Sequence, residues 1–343
     1  MEIGNKLQRN AFTLAVISGC VLLIMLAQFK MINLYVQSVM MFMGINIMIA
    51  TSLNLVNGNM GEFSCGHAAF LCVGAYVSSL TTVLLLVPNG ILGDPLLPPQ
   101  LSVLVFPISV LVGGVVAALA GILVALPSFK TRGDYLAIIT IAVNYMVISG
   151  IENLDIIGGP RGFMGMKKVV KAMYDVADIP WMMIFVAIGT IFCVVMIRRY
   201  ISSTFGKGVN AICQDEIAAE IMSVNTNKVK LVTFMLSSGL CGMAGGLFAH
   251  VVGYVNPQSF NILKSTEAMV MVYLGGMGSL SGAVLSAVFF TFLLELLRPL
   301  QILKWVIIPL TLVLLMQFRP EGIMGNKELT DIFPKLRKYC RFK

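Results

Sequence analysis

Apolar residues in this chain come in long runs, at about 11–29, 31–56, 67–87, 101–126, 135–151, 181–197, 231–253, 265–277, 281–297 and 303–318. Polar residues gather between them, most densely in 151–180, 198–229 and 319–343. About 20 mostly apolar residues, as a helix, cross a ~30 Å hydrocarbon core. The pattern predicts an all-α, polytopic helical membrane protein with about ten transmembrane or half-membrane segments. No polar stretch approaches the ~50 residues at which independent domains start. Residues 1–343 therefore read as a single transmembrane domain, with one large loop at about 198–229 and another at about 151–180.

Composition sharpens this. The chain is 58% hydrophobic and only 12% charged, against roughly 25% charged in soluble domains. That excludes a soluble enzyme, a DNA-binding protein and a membrane-anchored extramembrane domain. The net charge of +8 does not point to nucleic acid, because the 24 Lys and Arg are scattered at segment ends. Such scatter is the positive-inside signature of a membrane protein.

Charge also decides the segment count. The doubtful stretch is 265–297, one helix or two short ones. With ten segments, one side of the membrane holds Lys6, Arg9, Lys130, Arg132, Arg198, Arg199, Lys207, Lys228, Lys230 and the basic tail, 16 of the 24. With nine segments the tail changes sides and the bias disappears. Ten segments are therefore expected, with both termini cytoplasmic. The stretch 265–277 is then about 20 Å long as a helix, too short to cross, and reads as a half-helix or re-entrant segment. One loop violates the rule: 151–180 carries Arg161, Lys167, Lys168 and Lys171 on the expected outer face.

At the N-terminus, Lys6 and Arg9 precede an apolar run, and Ile17-Ser18-Gly19-Cys20 resembles a lipobox. The run continues to Phe29, so a first transmembrane helix is expected. The seven cysteines (Cys20, Cys65, Cys72, Cys193, Cys213, Cys241, Cys340) form no Cys-x-x-Cys pair or Cys/His cluster and read as small packing residues.

Two glycine patterns stand out. Gly58-Asn59-Met60-Gly61-Glu62-Phe63-Ser64 matches Gly275-Gly276-Met277-Gly278-Ser279-Leu280-Ser281 at a constant offset, and both lie between apolar runs. Paired glycine-interrupted hydrophobic segments point to a transport pathway. Gly239, Gly242 and Gly246, and separately Gly113, Ala117 and Gly121, form small-residue rows that let helices meet closely. These rows fit either a compact bundle or a subunit contact.

Three energy sources can be tested. A P-loop is absent: Lys207 follows Gly206, but position 201 is Ile and position 208 is Gly. An ion-coupled carrier keeps a carboxylate or His at mid-membrane. Here Glu62, His67, Asp134, Glu152, His250, Glu267 and Glu295 all fall at or near segment ends. A membrane enzyme needs a convergent acid–base or metal set, and His67 and His250 stand far apart; each reads as a hydrogen-bonded structural residue. What remains is the loop 198–229. Within 208–225, Ala211, Ile217, Ala218, Ile221 and Met222 form one side of a short helix beside Asp215, Glu216 and Glu220. Such a helix could lie in the membrane interface or dock in a partner's groove.

Several blocks, in order, resemble one known family. They are Ser52–Gly58 running into Gly61–Phe70 and Gly74-Ala75-Tyr76, then Arg132–Ile138, Gly158–Gly162, Asp215–Glu220, Leu274–Ser279 and Arg319–Ile323. Together they resemble the permease subunits of branched-chain amino acid ABC transporters, closest to the LivM type, over roughly 33–325. The resemblance implies a multi-pass permease of the bacterial inner membrane that is not itself an enzyme. It implies a second permease of the LivH type, two cytoplasmic ATP-binding subunits holding ATP and Mg, and an extracytoplasmic amino-acid-binding protein. No cofactor on this chain is implied.

Glu216, Ala218 and Ala219 match the motif by which such permeases engage their ATPases, with Asp215 and Glu220 beside them. The glycine that usually follows is Ser223 here, which puts the turn in question. Urea-type permeases are similar, so urea or amides remain alternative substrates, with an ion-coupled amino acid carrier as a further rival. The glycine-interrupted segments are the expected route, lined by Asn54, Gly58, Gly61, Ser64, Gly66, His67, Gly275, Gly276, Gly278 and Ser281. Half-helix N-termini would face a substrate carboxylate and freed carbonyls its ammonium.

Overall fold

A computed structural model describes residues 11–29, 31–88, 95–129, 135–318, 322–325 and 328. The expectations on Lys6, Arg9, Lys130, Arg132–Asp134, Arg319–Glu321 and most of the tail, Cys340 included, lie outside these residues.

Each apolar run is a helix. In order they are α1 (Ala11–Gln28), α2 (Leu34–Asn54), α3 (His67–Leu86), α4 (Ser102–Ser128) and α5 (Tyr135–Glu152), then α7 (Trp181–Ile201), α10 (Thr226–Val252), α11 (Ile262–Gly275), α12 (Leu280–Leu296) and α13 (Lys304–Phe318). Three shorter helices fill the polar loops: α6 (Met166–Val176), α8 (Thr204–Gln214) and α9 (Glu216–Ile221). Six spans among the described residues are long and apolar enough to cross a membrane, ending with Thr226–Val252. The chain is a multi-pass helical membrane protein.

The stretch 265–297 is two helices. Gly276 (φ +106°) and Gly278 (φ +83°) break it between α11 and α12. Both values suit glycine, which lacks the Cβ that penalises positive φ. At 14 residues, α11 is about 21 Å long and falls short of a full crossing.

The small-residue rows face one another inside the subunit. A Cβ added at Gly74 of α3 would strike the backbone of Gly242 on α10, and one at Gly242 would strike Ala117 of α4. Gly113 backs onto the Gly74 carbonyl, and Gly121 onto Ser238. The central trio α3, α4 and α10 therefore packs backbone to backbone. Around it stand α2, α7 and α12, while α5 presents Ile138, Tyr145 and Met146 outward.

The two ends of the bundle differ. At one end the loop 151–180 is folded onto the helices. Phe163–Met164 pairs antiparallel with Tyr254–Val255, a two-residue sheet (β1, β2) that an all-helical reading does not predict. The Tyr254 hydroxyl donates to the Arg161 carbonyl (2.6 Å), and Gln258 bonds Glu152. Helix α6 buries Met166, Val169 and Met173, leaving Lys167, Lys168 and Lys171 exposed with Arg161. The three lysines lie on an amphipathic surface helix and Arg161 on the turn before β1, all outside the spans. The opposite end holds the loop 198–229, the break after α2 and residues 322–325 with Glu328.

Candidate functional site

The two glycine segments meet. Helix α2 ends in a π turn, Leu55–Asn59, and the chain then runs unwound to Gly66 before α3 begins. π turns inside α-helices mark functional sites often enough to be a pointer, and nothing in the residue spacing announces this one. From the last residue of α2, Asn54 donates to the Ser279 carbonyl (3.1 Å) and accepts from the Gly278 amide (3.1 Å). One buried side chain thus serves two backbone groups freed by the second break. Gly58 lies so close that an added Cβ would collide with the Gly278 nitrogen and the Asn54 amide.

Other predicted residues hold the first break together. Asn57 spans it, its amide accepting from the Ser64 N–H (3.1 Å) and donating to the Ser64 carbonyl (3.4 Å). Gly61 takes φ +75°, and a Cβ there would press on Cys213 of α8. Gly66 lies against the backbone of Thr140 on α5, whose hydroxyl accepts from the Cys65 amide (3.2 Å). Ser265 of α11 accepts from the Ala68 amide (3.2 Å). His67 turns inward. The Ser237 hydroxyl donates to the Ser52 carbonyl (2.5 Å), so it accepts from His67 Nε2 (2.9 Å). His250 has both ring nitrogens engaged, by Thr82 and the Gly246 carbonyl, and is structural. By contrast His67 Nδ1, Ser64 Oγ and both amide atoms of Asn144, one turn beyond Thr140, are buried with no hydrogen-bond partner among the described residues. Buried polar atoms are nearly always paired; the others among the described residues are Asn59 Oδ1, also at the break, and the hydroxyls of Ser78, Ser79 and Ser102 on α3 and α4.

At the second break, Gly275 and Gly282 stack backbone on backbone. Ser279 caps α12 by accepting from the Gly282 amide (3.0 Å). The C-terminal segment closes this break. Ile323 and Met324 donate to the Leu274 and Gly275 carbonyls (2.9 and 3.2 Å), with Gly322 packed on Gly276. The Glu328 carboxylate accepts from the Leu280 amide (2.8 Å), the Ser281 amide (3.3 Å) and the Ser281 hydroxyl (2.6 Å). A carboxylate on the first amides of a helix is favoured by their unsatisfied N–H groups and the helix dipole. No sequence signal marked Glu328.

The docking-motif residues form α9 and its flanks, with one correction. The single amphipathic helix expected within 208–225 is two helices, because Asp215 is extended (φ −158°) and caps α9, accepting from Ile217 and Ala218 (2.9 and 3.1 Å). The split puts Ala211 on α8, apart from the other four apolar residues. Val209, Ile212 and Ala219 pack inward, while Ala218, Ile217, Ile221 and Met222 are exposed, Ile221 and Met222 to more than three-quarters. Glu220 accepts from the Thr226 hydroxyl (2.8 Å). Ser223, at the position where the resembled family carries glycine, is the only non-glycine residue with positive φ (+66°) among those described. The turn keeps the left-handed geometry that a glycine would adopt freely, so the departure alters the residue and not the bend.

The docking and glycine segments touch at Lys230. Its ammonium lies 2.6 Å from Glu62 and 2.8 Å from Glu216. A cavity of about 270 Å3 opens there, lined by Gly61, Glu62, Leu136, Cys213, Glu216 and Lys230 among others. In the sequence Lys230 registers only as a sidedness charge. Among the described residues no group of three or more His, Cys, Asp or Glu is placed to hold a metal ion.

A family described as branched-chain amino acid transport system / permease component matches residues 34–317. The chain is 29% identical over 307 residues to the high-affinity branched-chain amino acid transport system permease protein LivM of Escherichia coli (strain K12), covering 82% of this chain and 68% of that one. It is 22% identical over 338 residues to a probable branched-chain amino acid transport permease protein LivM of Methanocaldococcus jannaschii, covering 88% and 96%. It is also 22% identical over 310 residues to the LivH permease protein of Salmonella typhimurium, covering 85% and 96%. No solved structure matches the chain significantly.

Proposed function

The chain belongs to the branched-chain amino acid transport system permease family, and on that premise we propose that it is the permease subunit of an ATP-driven importer carrying leucine, isoleucine and valine across the bacterial inner membrane. It works beside a second permease of the LivH type. Two cytoplasmic ATP-binding subunits hold the ATP and Mg, and an extracytoplasmic amino-acid-binding protein delivers the substrate. The end of the bundle bearing α8, α9 and residues 322–325 faces the cytoplasm, and the end bearing β1, β2 and α6 faces the binding protein.

The observation that carries this reading is the junction of the two glycine breaks at Asn54, Gly58 and Gly278. A zwitterion entering a helical bundle needs polar groups that the helices themselves do not consume. Broken helices supply free N–H and C=O groups, and Ser64, His67 and Asn144 supply unpaired side-chain atoms beside the first break. The surrounding apolar helices suit an aliphatic side chain. Helix α9 offers Ile217, Ile221 and Met222 outward, an apolar face fit for an ATPase groove.

The test is reconstitution of the four kinds of subunit in proteoliposomes with radiolabelled leucine. ATP-dependent, binding-protein-dependent uptake is expected. Uptake by this chain alone, driven by an ion gradient, would overturn the reading in favour of a secondary carrier. Glu216→Arg is expected to abolish substrate-stimulated ATP hydrolysis and co-purification of the ATPase; unchanged values would remove the docking assignment. Bulky replacements at Gly61 or Gly278 are expected to block transport with assembly intact, and normal uptake by both would remove the pathway assignment.

A further inference from the structure

Three separate chain segments converge on Lys230. The lysine is in the second turn of α10, Glu62 is in the unwound stretch after the π turn, and Glu216 is the first residue of α9. Their burial is graded: the side chains of Lys230, Glu62 and Glu216 are 7%, 23% and 41% exposed. The Phe129 ring covers the ammonium from the side (5.9 Å to its centroid). One ammonium therefore serves two carboxylates, and among the described residues the cluster holds one more carboxylate than cations.

That imbalance has a mechanical consequence. Lys230 is too deeply buried to be left unpaired, since a buried charge without a partner is strongly unfavourable. Glu216 is exposed enough to be reached from outside. A cation brought up by a docking partner competes with Lys230 for Glu216, and Lys230 then shifts its whole charge onto Glu62. Glu62 belongs to the segment that holds Gly61 against Cys213 and leads to Ser64 and Gly66. The 270 Å3 cavity between them leaves room for such a shift.

We propose that Lys230 is the positioning residue through which docking at α9 is felt at the first glycine break, by dividing its charge between Glu216 and Glu62. Resting on the ATP-driven reading above, the proposal names the residue that joins its two halves. Lys230 contacts neither the ATPase nor the substrate in this role; it sets the relation between the segment that docks the ATPase and the segment that lines the route.

The test uses the complete reconstituted complex, with leucine uptake and phosphate release followed in parallel so that the readout is leucine moved per ATP hydrolysed. Lys230→Met is expected to lower that ratio about tenfold, within the usual range of coupling between sites, while the ATPase co-purifies at its wild-type level. Lys230→Arg, which keeps the charge, is expected to restore the ratio. An unchanged ratio in Lys230→Met overturns the proposal. If Lys230→Met fails to assemble, Glu62→Gln, Glu216→Gln and the double variant decide. A double variant no worse than the worse single one supports transmission through Lys230, and multiplying effects overturn it. Absence of ATP-driven leucine uptake in the wild-type complex overturns the functional reading and this inference with it, and is seen before any variant is compared.

Discussion

At the first break, residues 58–66, the chain leaves α2 through a π turn and is pinned by side chains of Asn57, Thr140 and Lys230. At the second, 276–279, it leaves α11 abruptly and is pinned by a returning C-terminal segment, through the backbone of Ile323 and Met324 and the carboxylate of Glu328. The two breaks share a heptapeptide pattern and touch at Asn54. Yet the first is tied to the loop 198–229 and the second to the tail. A shared local motif therefore fixes where the backbone opens, whereas the neighbours decide what each opening answers to. The first is joined through Lys230 to α9, the docking surface proposed above, and the second is latched from within the chain.

The strongest way to break this comparison is to force the two segments apart. Gly58→Val places a side chain against the Gly278 backbone, which cannot move aside as a flexible side chain would. It is expected to abolish uptake and to destabilise the subunit by about 3 kcal/mol, the upper range for overpacking. Gly150→Val, where an added Cβ meets nothing, is the control and is expected to stay within about 0.5 kcal/mol. Thermal unfolding in detergent measures both.

Asn54→Leu tests the bridge. It strands the Gly278 N–H and the Ser279 carbonyl in a buried place, at about 2–4 kcal/mol for the pair, read by the same melt. A change under about 0.5 kcal/mol would mean that the breaks do not depend on each other.

Glu328→Ala should sharpen the contrast. Losing a carboxylate from the first amides of α12 costs about 1–2 kcal/mol locally. Hydrogen exchange is expected to speed up at Leu280 and Ser281 and stay unchanged at residues 61–66. Equal acceleration at both breaks would show a single unit and defeat the distinction.

The smallest effect has the opposite sign. Ser223→Gly relieves a left-handed serine on the docking side and is expected to stabilise the α9–α10 turn by about 0.5–1 kcal/mol. Exchange protection around residues 221–225 checks it.

Much of this was legible beforehand. The apolar runs located all ten apolar helices, charge bias separated α11 from α12, and the repeated glycine pattern pointed at two segments that do meet. The stretch 208–225 was legible as helical with an apolar side open to a partner or the interface, and Ile217, Ile221 and Met222 do face outward. What was missed is the break at Asp215, whose capping of α9 puts Ala211 on a separate helix. Lys230 was legible only as a charge, because its meaning depends on Glu62 and Glu216, 168 positions before it and in the neighbouring helix. Asn57, Thr140 and Glu328 carry no spacing signal at all.

The sequence by itself determined the solvent, the helices and the places where the helices must break. These are local quantities: hydrophobicity summed over about 20 residues, and the positive φ that glycine accepts without strain. Tertiary structure alone decided that the small-residue rows of α4 and α10 pack within one subunit beside Gly74 of α3, that Asn54 serves the second break, and that one buried lysine joins α9 to the first. Those contacts lie far apart along the chain, and their stability comes from desolvated partners meeting in a low-dielectric interior, a property of the assembled bundle and of no single stretch.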